Sequence, residues 1–146
     1  MKKVISLIIL TISIHFVACD ETKKVIDVAG NVQLSGVYNV IIVGETKVKG
    51  DAITITFTAL DKMIKGNAGC NSYFGKYSLE LYALSFSDIG ATEQYCDEAI
   101  MTVENAYMNA LRDTGSYDIK NGLLTLYSKN DRAVLVKANK QQTQEN

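Results

Sequence analysis

The chain has 146 residues, is 47% hydrophobic, and carries 15 Lys and Arg against 16 Asp and Glu, a formal net charge of −1. This is enough for one domain with its own core, and a weakly acidic chain without a long Lys/Arg run excludes nucleic acid as an expected partner. Proline and tryptophan are absent, and the single histidine, His15, lies in an N-terminal apolar segment, so removing that segment leaves no imidazole for Ser-His-Asp or Cys-His catalysis or for a His-ligated metal.

Met1-Lys2-Lys3 is a short basic region, and Val4 to Val17 is an apolar run. The run is shorter than the roughly 20 apolar residues a transmembrane helix needs, and fits a signal peptide. It ends Phe16-Val17-Ala18-Cys19, which resembles a bacterial lipobox, although Phe16 replaces the usual aliphatic residue. Residues 1–18 are therefore read as a lipoprotein signal peptide and Cys19 as the lipidated mature N-terminus, the alternative being a secretory signal with an incidental cysteine. Two or more acyl chains on Cys19 suffice for stable membrane anchoring where one is marginal. Residues 19–33 then form a tether, and the expected location is the bacterial cell envelope, at the periplasmic face or the cell surface.

In the mature chain, Leu34 to Val43 is a β-branched run read as a first strand. Gly44 to Asp51 is a hairpin-type connection. In Ala52 to Leu60, Ile53, Ile55 and Phe57 alternate with Thr54, Thr56 and Thr58, the pattern of a half-buried antiparallel strand. A third strand leads into Lys65 to Tyr77, where Gly66, Gly69, Gly75, Asn67 and Asn71 surround Cys70. Glycine and asparagine tolerate positive φ, so this stretch predicts a bulged turn. A fourth strand through Tyr73–Leu81 and a short one at Leu84 to Ile89 follow.

From Asp97 the period changes. Ala99, Ile100, Val103, Ala106, Tyr107, Ala110 and Leu111 recur at 3- and 4-residue steps, which predicts one amphipathic helix. Thr92 or Asp97 is the expected cap and Gly115 the expected C′ stop. Asn121-Gly122 predicts a type I′ hairpin between strands around Tyr117–Lys120 and Leu124–Ser128. Ala133 to Lys137 is the last strand, and residues 139–146 are a polar tail expected to be disordered. The residues alone therefore give a β-rich antiparallel α+β domain with one inserted helix.

Three cysteines are present. Lipidation of Cys19 leaves Cys70 and Cys96, and an even pair in an oxidising compartment favours a disulfide. It would close a loop of about 25 residues and contribute roughly 3 kcal/mol in the chain-entropy model. A redox-active or metal-binding pair is the alternative, without C-x-x-C spacing or a third ligand to support it.

Gly69-Cys70-Asn71 with Tyr73, then Thr92 with Cys96, then Glu104, Tyr107 and Leu111, then a closing L-x-L-Y strand at Leu124–Tyr127, resemble the META (HslJ-like) domain family. The resemblance runs from about Leu34 to Ala138. Tyr38 stands where the family often has tryptophan, and Gln94 and Tyr95 replace a frequent methionine. The resemblance implies a small antiparallel β-barrel-like sheet with a helix packed against it, in exported and often lipid-anchored proteins linked in a few members to heat stress, aminocoumarin resistance or motility. It implies no enzymatic activity.

No catalytic, cofactor-binding or metal residue is expected. The Gly-rich stretch lacks the ending of a phosphate loop and reads as a structural corner. Asp88, Glu93, Asp97, Glu98 and Glu104 near the helix start read as macrodipole partners before a glycosidase pair or calcium site, with Glu104 expected to bond strand backbone. Gly69, Asn71, Tyr73, Gly75, Thr92 and Glu104 are the expected structural motif. Tyr38, Tyr73, Tyr77, Tyr82 and Tyr107 read as core and rim residues. The expectation is a non-enzymatic envelope lipoprotein acting through protein contacts; the alternative is a small-ligand module using the barrel interior.

Overall fold

Alternation of apolar and polar residues along short segments sets the architecture. The computed structural model describes residues 28–142. The expected signal peptide, Cys19, the first part of the tether and the last four residues of the tail lie outside the described residues. In chain order the strands are β1 Gly36–Val43, β2 Thr46–Lys47, β3 Thr54–Thr58, β4 Met63–Asn67, β5 Ser72–Glu80, β6 Ala83–Ala91, β7 Thr114–Lys120, β8 Leu123–Ser128 and β9 Val134–Lys140. Residues 28–34 are helical, α1, and α2 is Glu98–Asp113.

Every strand pairing is antiparallel, in the order β1-β3-β4-β5-β6-β7-β8-β9, and β9 pairs back onto β1. Eight strands thus close a barrel, and β2 is a short flap on β1. Closure leaves no long free edge among the described residues, where antiparallel sheets otherwise expose one. The weakest seam is β6–β7, joined through Ala83 and Ser116, where α2 is inserted.

The interior is packed with side chains. In β5, Tyr73, Gly75, Tyr77 and Leu79 are buried and the residues between them exposed. Tyr38 and Tyr77 both meet the Phe57 ring edge to face, with centroids 5.9 and 5.4 Å apart, and Phe86 tilts against it at 6.0 Å. Such ring pairs contribute about 1 kcal/mol each beyond area burial. Leu84, Leu124, Leu126, Val136 and Ala138 complete the core. This argues against the alternative of a small-ligand module using the barrel interior: aromatic and aliphatic side chains take that space.

Because neighbouring strands alternate in direction, the β1–β2 turn, the β4–β5 corner and the β8–β9 turn share one end of the barrel. Helix α2 covers that end, burying Tyr107 and Leu111 completely. The β3–β4, β5–β6 and β7–β8 turns share the other end, together with α1. There Leu34 is fully buried, and Gly30 sits so close that an added Cβ would stand 2.8 Å from Leu79 Cδ2 and 3.2 Å from Tyr117 Oη. The last residues assigned to the tether are thus a helical plug, because Leu34 and a bare Gly30 let the segment seat on the barrel.

Asn121 and Gly122 both take positive φ, 51° and 78°, as the type I′ reading requires. Gly115 corrects the expected helix stop. The helix ends at Thr114, whose Oγ donates to the Ala110 carbonyl at 2.8 Å, and Gly115 belongs to β7. Its bareness serves a close approach, since a Cβ there would lie 2.5 Å from Lys129 Cα. Asp97 is the N-cap, without a side-chain capping bond. Strand β9 runs on into the expected tail: Asn139 pairs with Asn39 and Leu123, and the Gln141 N–H donates to the Val37 carbonyl at 2.8 Å.

Candidate functional site

The β4–β5 corner is shaped by side chains bonding their own backbone. Asn67 Oδ1 accepts the Gly69 N–H at 2.7 Å, and the Ala68 N–H donates to the Asn71 carbonyl at 2.7 Å. Gly69 has φ +126°, a region that side-chain-bearing residues rarely enter. Gly66 is bare for another reason: a Cβ there would overlap the Thr54 carbonyl of the neighbouring strand.

Glu104, 6% exposed, comes up from α2 beneath this corner. Its Oε2 accepts the Cys70 N–H at 2.8 Å and the Asn71 N–H at 2.7 Å, while Oε1 accepts Asn71 Nδ2 at 2.6 Å. Burial pushes the carboxyl pKa up, but the three donated hydrogen bonds outweigh it, and the pKa lies below the ordinary value. The carboxylate is held charged and its charge is used internally.

Asn71 is the hub. Nδ2 also donates to the Gln94 carbonyl at 3.1 Å, and Oδ1 accepts from Thr92 Oγ and the Gln94 N–H, each at 2.7 Å. The Cys70–Cys96 disulfide, Cα–Cα 6.0 Å, closes the same junction one residue away. Tyr73 Oη donates to the Thr54 carbonyl at 3.0 Å and shares a 2.6 Å hydrogen bond with Tyr107 Oη. Burial raises the pKa of both phenols well above the ordinary value, so both stay neutral.

The structure therefore brings together Gly69, Cys70, Asn71, Tyr73, Thr92, Cys96 and Glu104. Gly75 stands apart, inside the barrel, where a Cβ would meet Ile89 Cγ1 and the Ser87 carbonyl at 3.2 Å beside the β5–β6 register shift. Sequence reasoning missed Gln94, which contributes backbone groups that no side-chain pattern marks, and Thr54, which offers its carbonyl to Tyr73 and its Oγ to the Asn67 N–H at 3.1 Å across strands. The remaining acidic candidates do not join the corner: Glu93, Asp97 and Glu98 are exposed, and Asp88 pairs on the surface with Lys76 at 3.0 Å. Among the described residues no group of His, Cys, Asp and Glu could hold a metal ion.

Beside the corner lies a groove of about 560 Å³ between α2 and the β2–β3 segment. Val48, Ala52, Ile53, Ala99, Ile100 and Val103 give it an apolar lining, and Lys47 and Lys49 also line it. The sequence placed Ala99 and Ile100 on the core side of the helix. The structure buries the stripe from Glu104 to Leu111 and leaves the first turn outside, because α2 crosses the barrel end and extends beyond it. The corner can fix the position of this groove wall; the groove can accept an apolar group.

Among the described residues no helix is long and apolar enough to cross a membrane. No curated protein matches the chain. Among solved structures it is similar to a protein from Burkholderia xenovorans solved by NMR, with 23% identity over 80% of this chain and 89% of that one and a TM-score of 0.60. A second NMR structure gives 21% identity, 75% and 92% coverage, and a TM-score of 0.60. A DUF4847 family protein from Bacteroides vulgatus gives 15% identity, 78% and 99% coverage, and a TM-score of 0.53. These likenesses show the fold. The META domain family model matches residues 31–141, and the chain, with its antiparallel barrel and braced Gly-Cys-Asn corner, belongs to the META domain family.

Proposed function

We propose that this protein is a non-enzymatic, lipid-anchored envelope protein whose META domain supports envelope integrity or stress tolerance through protein contacts. The observation that carries this reading is the pairing of a rigid corner with an apolar groove. Around Glu104 and Asn71 the charged and amide groups bond one another and the backbone, so their chemistry is spent on holding the groove wall. The groove itself offers aliphatic side chains, which suit contact better than proton transfer. The lipobox-like ending at Cys19 supports the anchor and the envelope location.

The test is photo-crosslinking in intact cells with a reactive residue in place of Ile100 or Val48. A discrete protein adduct, absent when the probe replaces exposed Tyr95, is the expected result. Catalytic turnover lost on substitution of domain residues would overturn the reading. A small apolar ligand in the same groove is the second reading, favoured by its 560 Å³ volume; it predicts no protein adduct and co-purification of a ligand.

A further inference from the structure

The exposed apolar side chains at the α1 end of the barrel lie on two successive turns, β3–β4 and β5–β6, and on α1, and together form its apolar sector. The β3–β4 turn carries Leu60, 97% exposed, and the two-residue β5–β6 tip is Leu81–Tyr82, with Tyr82 76% exposed. Helix α1, which leads into β1 next to β3 in the barrel, turns Val28 and Val32 outward. The β7–β8 tip at the same end is Asn121–Gly122, polar, next to the β5–β6 tip in the barrel order and opposite the β3–β4 turn.

Two further observations say what meets this sector. Leu81 has φ +55°, a conformation in which a branched aliphatic is strained and Gly or Asn is not. The β7–β8 tip at that end does use Asn and Gly, so the β5–β6 tip keeps an apolar residue against local preference. Second, the chain enters the domain here. Cys19 precedes Val28 by nine residues, a reach of at most about 30 Å even when extended, and α1 delivers that length to this end of the barrel. Charge in the sector is mixed, with Asp61 and Lys62 in one turn and Glu80 beside the other, so apolar contact outweighs Coulomb attraction.

We propose that the α1 end of the barrel rests on a lipid surface, with Leu60, Leu81, Tyr82 and the outer side of α1 entering the headgroup region. Tyrosine and short aliphatics suit that depth, where rings contact acyl chains and hydroxyls reach water. The proposal deepens the anchoring reading and rests on it. It also orients the molecule: the groove and the Cys70–Cys96 corner then face away from the membrane, open to a partner.

The chain has no tryptophan, so a single Tyr82→Trp or Leu60→Trp substitution gives a clean probe, with Tyr95→Trp at the opposite end as control. The full-length lipidated protein is placed in phosphatidylethanolamine and phosphatidylglycerol vesicles containing a brominated lipid. Flotation reports anchoring; quenching reports the face. The expected result is emission at position 82 or 60 shifted to the blue and lowered about twofold, with position 95 unaffected. A floated protein quenched equally at 82 and 95, or at neither, overturns the proposal while leaving the anchor intact. If the protein does not float, the anchor reading fails, and excess vesicles added to the unanchored variants then decide: quenching at 82 but not 95 supports the face, and none overturns it. A concentration-dependent blue shift at 82 without vesicles indicates a second copy and also overturns it.

Discussion

The carboxylate of Glu104 and the amide of Asn71 meet twice, through the side-chain nitrogen at 2.6 Å and the backbone N–H at 2.7 Å. One residue comes from a helix and the other from a strand corner 33 positions earlier, so this contact ties α2 to the barrel. Cys70–Cys96 repeats the tie covalently, and Tyr73–Tyr107 repeats it inside the core. The end of the barrel is thus held by three kinds of bond, each with its own sensitivity.

Removing the carboxylate should cost most. Glu104→Ala leaves the Cys70 and Asn71 N–H groups without their acceptor, a loss of about 3 kcal/mol or more. Glu104→Gln keeps one oxygen and should lose about half as much. Urea unfolding checks both; a change below about 0.5 kcal/mol for the alanine variant would contradict the role assigned to the corner.

The acid limb of stability should follow the same residue. The folded-state pKa of Glu104 lies below its ordinary value of 4.5, so its contribution is fully present above pH 4.5. It is lost as pH falls through the depressed folded value. Thermal melts between pH 7 and pH 2 should therefore fall less steeply for Glu104→Gln than for the wild type. Parallel curves would show that other carboxylates govern the acid limb.

At high pH the sign reverses. Tyr73 and Tyr107 have folded pKa values raised above the ordinary 10.0, and burial with the nearby Tyr117 pushes Tyr38 up to about 12. Their neutral forms favour the fold, so stability is intact below pH 10 and declines as pH rises toward the folded values. Tyr107→Phe should cost about 1 kcal/mol at pH 7 through loss of the Tyr73 hydrogen bond, and its alkaline decline should be shallower. Ultraviolet titration of the phenolates alongside unfolding provides the check.

Reduction should weaken the domain without abolishing the corner. With a sequence separation of 26 between the cysteines, the chain-entropy model gives a loss of about 3.5 kcal/mol, while the Glu104–Asn71 bonds remain. The Cys70→Ser/Cys96→Ser double variant should reproduce the effect of reductant. Non-reduced peptide mapping should yield one cross-linked pair; two alkylatable thiols in oxidised protein would refute the pairing in solution.

Glycines bare for different reasons should respond differently. Gly66→Ala drives a methyl group into the Thr54 carbonyl and should cost about 3 kcal/mol or prevent folding. Gly44→Ala adds a methyl group in open space at φ +57° and should cost only about 1 kcal/mol of backbone strain. Comparing the two melting temperatures separates crowding from conformation.

Much of this molecule was legible in one dimension. Thr54–Thr58 alternates with period two, residues 97–111 with a helical period, and Asn121-Gly122 carries its turn type in its own chemistry. The Gly-Cys-Asn corner could be read because residues tolerating positive φ gathered around one cysteine. Those features depend on neighbours in sequence, so the sequence by itself determined them. Gly115 misled because bareness serves a turn and a close approach equally, and only the path of Lys129 distinguishes them. The outward first turn of α2, the plugging of the far end by residues 28–34 and the filling of the barrel by Tyr38, Phe57 and Tyr77 depend on where distant segments cross. Tertiary structure alone decided them, since periodicity marks which face of an element is apolar but not how far the element extends past the surface it covers.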